Sequence, residues 1–318
     1  MFTRILVPID FSPPSDAALS YARRLAGTFE AALHLLHIAD ATFFRAFVAD
    51  PADRDTAVLN RLDDCLTDED RQHFRAVTAV EHADAPADEI LRYAQLRDVD
   101  LIVMGTHGHK GMTHVLLGSV AEKVVRGATC PVLTLRDVPL SSDTTQTWPT
   151  RILATTDFSP PSDRALEYAH LIASRCGASL HLLHVMEDLV DATSFGSEVF
   201  VPDSPEVRAA RLKEAQDQLA HRVRPDDREQ PRATTEVIEG SAARTIPRYA
   251  ADNGFDLIVM GTHGRMGIAH LMMGSVAEQV VRAAPCPVLS TRISRQEMRG
   301  AQEREGTAEP VPRRNSGR

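Results

Sequence analysis

Two stretches decide how this chain is read: DLIVMGTHGHKGMTHVLLGSVAE at residues 100–122 and DLIVMGTHGRMGIAHLMMGSVAE at residues 256–278. Each opens on a short, continuously apolar run, the pattern of a strand buried on both faces rather than of a strand with one wet face. Each then spells glycine, two residues, glycine, nine residues, glycine and serine: Gly105, Gly108, Gly118 and Ser119 in the first, Gly261, Gly264, Gly274 and Ser275 in the second. The serine opens a segment with helical spacing. Strand, glycine-rich loop and helix therefore follow one another twice, and the carboxyl end of a buried strand is where open α/β sheets take ligands.

The repetition extends outward from these stretches. RILVPIDFSPPSDAALSYARRLA from Arg4 returns as RILATTDFSPPSDRALEYAHLIA from Arg151, and AALHLLHIAD returns as ASLHLLHVME. Both copies finish on CPVL, two further residues and an arginine, Arg136 and Arg292. The duplicated unit of about 140 residues is too long for a solenoid repeat and gives two similar domains. Their expected limits are 1–138 and 150–293, with a polar linker at 139–149 and a disordered tail at 294–318, where apolar residues almost vanish.

Within a unit, RILVPID predicts a first strand, Ser12 a helix N-cap and Pro13 the first helical position. ALHLLHIA, FRAVTAVEHA, DLIVMG and CPVLTLR predict further strands; DEILRYAQL and GSVAEKVVRGA predict helices. Alternating strands and helices with fully apolar strands imply two tandem, doubly wound, Rossmann-like α/β domains with parallel sheets.

Composition narrows the partners. Hydrophobic residues make up 43% and charged residues 25% of 318, as in ordinary globular proteins. A formal net charge of −9 argues against a nucleic-acid partner and against anionic lipid surfaces. No apolar run reaches the roughly 20 residues of a membrane span and no signal peptide opens the chain, so a cytoplasmic location is expected. Cys65, Cys130, Cys176 and Cys286 form no metal-type or disulfide spacing, and Cys130 and Cys286 read as small core residues at the start of buried strands.

The glycine phrase has two readings. Glycines at a strand-to-helix turn can be turn residues alone. Alternatively they let backbone approach a ligand, while the helix opening at Ser119 or Ser275 offers unpaired N–H groups and the positive end of its dipole to a phosphate. The serine then adds a donor or serves as the N-cap. Neither G-x-G-x-x-G nor a P-loop is present.

The DFS turns, LHLLHV, DLIVMGTHG and the glycine spacing together resemble the universal stress protein family in its tandem two-domain form, over residues 2–136 and 150–292. The spacing is similar to that of the family's ATP-binding branch, with its adenine nucleotide alpha hydrolase-like fold. That resemblance implies ATP, with or without Mg2+, as cofactor. It implies that Asp10 lies near the adenosine with Pro8 beside it, and that Ile38 offers backbone to the base. Met104 and Gly105 would pack on base and ribose, Gly108 would border ribose and phosphates, and Gly118, Ser119 and Val120 would hold phosphates. The second set is Asp157, Val185, Met260, Gly261, Gly264, Gly274, Ser275 and Val276. The resemblance also implies that the last strands join two domains about a pseudo-twofold axis, either in an internal pseudo-dimer or in a homodimer.

Two departures bear on this. Thr155 stands where the first unit has Pro8, and Asp84 aligns with Gly240, where a carboxylate would crowd a nucleotide. Asp10 and Asp157 also have a reading as caps of the turn that follows them. His37 and His184 read as hydrogen-bonded structural residues of apolar strands, and the loop histidines His107, His109, His114, His263 and His270 as poor metal ligands. The acidic stretches DDCLTDEDR and RPDDREQ read as solvated. Lys110 has no cationic counterpart in the second unit, and no nucleophile–base pair is evident. A nucleotide-binding regulatory module with slow or no hydrolysis is therefore expected. The alternatives are a slow ATPase or self-phosphorylating enzyme using Ser119 or Ser275, and a scaffold with vestigial sites.

Overall fold

The computed structural model describes residues 1–39, 51–106, 117–136, 148–187, 204–224, 233–262 and 273–292. Gly108, Gly264, the loop histidines, Lys110, most of the linker and the tail lie outside them.

In the first half, β1 (Arg4–Pro8) leads to α1 (Pro13–Phe29) and β2 (Ala32–Ala39). Helices α2 (Pro51–Asp64) and α3 (Asp68–His73) precede β3 (Val77–His82), α4 (Pro86–Leu96), β4 (Leu101–Gly105), α5 (Ser119–Gly127) and β5 (Val132–Leu135). The second half repeats this as β6 (Arg151–Thr155), α6 (Pro160–Cys176), β7 (Ser179–Met186), α7 (Pro205–Arg222), β8 (Thr234–Glu239), α8 (Ala242–Asp252), β9 (Leu257–Gly261), α9 (Ser275–Ala283) and β10 (Val288–Thr291).

One ten-stranded sheet results, ordered β3-β2-β1-β4-β5-β10-β9-β6-β7-β8. Within each half every pairing is parallel, and strand order reverses between β1 and β4 and between β6 and β9. The halves meet in one antiparallel ladder, Thr134 opposite Val288 and Val132 opposite Ser290. Side chains alternate between two cores. Ile5, Val7, Leu33, Leu101 and Leu133 face α1 and its neighbours, whereas Leu6, Leu36, Ile102 and Val132 face α4 and α5. Both faces are covered, which explains why strands such as Ile5-Leu6-Val7 are apolar at every position. Each such side chain contributes about 1.5–3 kcal/mol on burial.

The α1 core is continuous across the joint. Phe2 stacks on Tyr168 at 5.7 Å, and Trp148 meets Tyr21 edge-on at 4.6 Å, so each half sets an aromatic ring against the other half's first helix. Trp148 and Pro149, at the end of the stretch read as linker, are thus buried parts of the joint. Each half is also pinned at its first strand: Asp100 accepts from the N–H and hydroxyl of Thr3, and Asp256 from those of Thr150, every bond at 2.7–2.9 Å.

The solvated reading of DDCLTDEDR fails at Asp70. Its carboxylate is 1% exposed and accepts hydrogen bonds from Arg23 Nε and Nη2 and from the Thr67 amide. The acid is buried because it docks α3 onto α1.

Candidate functional site at the strand-order reversal

The first chemical group is a carboxylate at the end of β1. Asp10 Oδ1 accepts from the Ser12 amide at 3.0 Å and from its hydroxyl at 2.5 Å; Asp157 Oδ1 does the same with Ser159 at 3.1 and 2.5 Å. The turn-capping role is therefore present in both halves. Ser12 and Ser159 are the N-caps, each followed by two prolines.

This turn is strained and clamped. Phe11 and Phe158 have φ of 62° and 66°, left-handed values that bulky residues avoid. Phe11 packs on His37 with ring centroids 5.0 Å apart, and Phe158 stacks on His184 at 4.2 Å. Arg61 lies over Phe11 and Arg222 over Phe158, at 4.0 and 4.9 Å from the centroids. His37 Nδ1 is 2.8 Å from the Ile9 carbonyl oxygen, and His184 Nδ1 is 2.8 Å from that of Thr156. The geometry makes the imidazole nitrogen the donor, so both strand histidines are structural, as their apolar setting implied. Burial pushes the His37 imidazole below its ordinary value, against the opposing pull of its bond to Ile9 and of Asp10. The Arg–Phe–His stacks were missed in the sequence, although the aromatic next to each aspartate repeats in both DFS turns.

The second group is the end of β4. A Cβ on Gly105 would lie 2.6 Å from Pro14 Cβ, and one on Gly261 would lie 3.1 Å from the Pro161 backbone. These glycines let the first turn of α1 or α6 sit directly on the strand. Met104 and Met260 are buried in the α5-side core, so only their backbone faces the strand end. Ile38 on β2 and Val185 on β7 lie one strand further out, across β1 and β6 from them.

The third group is the helix start. Gly118 and Gly274, not the serines, are the N-caps of α5 and α9, and neither cap supplies a side-chain bond. Ser119 and Ser275 are exposed first-turn residues; Val120 and Val276 pack against the core. The Gly118 amide donates to the Thr106 carbonyl at 2.8 Å, and the Thr106 amide to that of Leu135, also at 2.8 Å. Gly274, Thr262 and Thr291 repeat the arrangement. Asp10, Gly105 and the start of α5 thus sit together at the carboxyl end of adjacent strands β1 and β4, the point where order reverses.

The Asp84 alignment changes. Strand register places Ala83, not Asp84, opposite Gly240: the Ala83 amide bonds Ala39 and the Gly240 amide bonds Met186, both at 3.1 Å. The first loop carries one extra residue, and Asp84 is exposed within it. Gly240 has φ of 141°, which the shorter second loop requires. Burial pushes Cys130 and Cys286 up to about 12 and Cys176 up to about 11, which keeps these thiols protonated and inert. Among the described residues no group of three His, Cys, Asp or Glu is placed to hold a metal ion, and no helix is long and apolar enough to cross a membrane.

A model of the universal stress protein family matches residues 1–136 and 149–292. This chain belongs to that family. A universal stress protein of Mycobacterium tuberculosis is 29% identical over 299 residues, 91% of this chain and 96% of the relative. Another, of Methanocaldococcus jannaschii, is 32% identical over 147 residues, 43% of this chain and 83% of the relative. Among solved structures, a protein of unknown function from Pseudomonas aeruginosa has a TM-score of 0.64 at 22% identity, covering 97% of this chain and 98% of its own. A universal stress protein from Archaeoglobus fulgidus has a TM-score of 0.63 at 21% identity, covering 91% and 98%. These structures share the fold of the tandem universal stress proteins.

Proposed function

We propose that this universal stress protein binds adenine nucleotide, ATP with or without Mg2+, one molecule per half, and acts as a cytoplasmic regulatory module with slow or no hydrolysis. The observation that carries the reading is the coincidence, in both halves, of a strand-end carboxylate, a glycine-ended strand and a glycine-capped helix at the strand-order reversal. Glycine caps leave first-turn amides without a competing side-chain oxygen, which suits an anion. The glycine spacing adds the family's nucleotide-binding pattern to that geometry. In this reading the site residues are Pro8, Asp10, Ile38, Met104, Gly105, Gly108, Gly118, Ser119 and Val120, with Asp157, Val185, Met260, Gly261, Gly264, Gly274, Ser275 and Val276, in domains 1–138 and 150–293. Asp10 and Asp157 retain their turn bonds while facing the nucleoside.

Calorimetric titration of nucleotide-stripped protein with ATP, ADP and GTP tests it. Two ATP molecules per chain, with GTP bound more weakly, support the reading; no heat and no protection by any nucleotide contradict it. Phosphate release under the same conditions separates a regulatory module from a slow ATPase.

A further inference from the structure

Each half ends on an arginine that leaves it. Arg136, next after β5, donates through Nη1 to the carbonyl oxygen of Arg282 in the last turn of α9. Arg292, next after β10, donates through Nη1 to the carbonyl oxygen of Arg126 in the last turn of α5. Those carbonyls belong to the final turn of a helix, which has no intrahelical amide to offer and carries the negative end of the dipole. A guanidinium there both satisfies the acceptor and complements the charge.

The other ends of the same helices are the glycine caps. Helices α5 and α9 have nine residues each, about 13 Å of rigid rod, so fixing the last turn fixes the first. A ring of contacts closes across the molecule. Gly118 bonds Thr106, Thr106 bonds Leu135, and the next residue, Arg136, holds α9, which begins at the Gly274 cap; Gly274, Thr262, Thr291 and Arg292 lead back to α5.

We propose that Arg136 and Arg292 are positioning residues that act across the joint: Arg136 sets the second half's Gly274–Ser275 seat, and Arg292 sets the first half's Gly118–Ser119 seat. The inference rests on the nucleotide reading above. A purely local role makes the opposite statement, because Arg136 lies one residue from the carbonyl that holds Thr106 of its own half.

Selective labelling with 15N-glycine separates the two. Seventeen glycines give a spectrum in which Gly118 and Gly274 report each half during an ATP titration of the full chain. In Arg136→Met the Gly274 midpoint moves to roughly three- to tenfold higher ATP while the Gly118 midpoint stays. Arg292→Met gives the mirror result, and Arg136→Lys, which keeps the charge, recovers most of the loss. Arg136→Gln, polar and uncharged but too short to reach the Arg282 carbonyl, serves with the same expected shift if the methionine variant does not fold. A shift at Gly118 in the Arg136 variants, equal shifts at both glycines, or no shift at either overturns the inference alone. An unmutated chain with no ATP response at either glycine overturns the nucleotide reading and this inference with it.

Discussion

At Gly105 an added methyl group has nowhere to go, because Pro14 Cβ would stand 2.6 Å away. Gly105→Ala is expected to push α1 off β4 and to cost about 1–3 kcal/mol, read as a lower urea midpoint at unchanged slope. The same substitution at Gly118, where φ is −60° and any residue fits the backbone, is expected to cost less stability than at Gly105. Equal losses at the two sites would contradict the packing argument. Histidine sets a pH dependence at the same scale. Burial holds the imidazoles of His34, His37 and His181 below 6.5. The unfolded chain therefore takes up protons near pH 6.5 that the folded chain still refuses. This contribution to stability is complete above that pH and is lost as pH falls through it. Urea midpoints are expected to drop between pH 7.5 and 5.5, with a shallower drop in His34→Gln; a flat profile would contradict the assignment.

Between residue and molecule, α2, α3 and α7 show where sequence patterning stops being informative. The strands were legible because burial on both faces demands unbroken apolar runs, and α1 and α6 because Ser-Pro-Pro opens both. By contrast α7 buries only Ala215 and Leu219 along its 18 residues, too few to stand out against a charged background. Docking through a polar side chain leaves no hydrophobic period, so Asp70 and Arg23 gave no signal. Asp70→Ala strands a partly buried guanidinium and removes the tie between α3 and α1; a loss of about 2–3 kcal/mol is expected in chemical denaturation, with faster proteolysis around α3. The candidate site was legible in its glycines and aspartates, which the fold brings to the strand-order reversal. Its Arg–Phe–His clamps were not, because they join residues from the first turn, the second strand and a distant helix. The Asp84 alignment misled for a related reason, since only strand register reveals the extra loop residue.

Taken whole, the molecule is one sheet with a shared core rather than two beads. Phe2 is 1% exposed between Phe29 and Tyr168, which belongs to the other half. Phe2→Ala is expected to cost about 3–5 kcal/mol and to lower the melting of both halves together in a single calorimetric transition. Two separate transitions, with only one displaced, would show that the joint does not couple them. The antiparallel β5–β10 ladder also directs the two candidate sites to opposite ends of the sheet, so each seat stands beside the last turn of the other half's helix. The central claim is that both seats hold adenine nucleotide. Its most direct test is to denature freshly purified protein and quantify the ATP, ADP and AMP released per chain, with Gly118→Val and Gly274→Val beside the unmutated protein. The account predicts close to two adenine nucleotides per chain, one lost with each substitution. A chain that releases none, and takes up none when ATP is added, would contradict it.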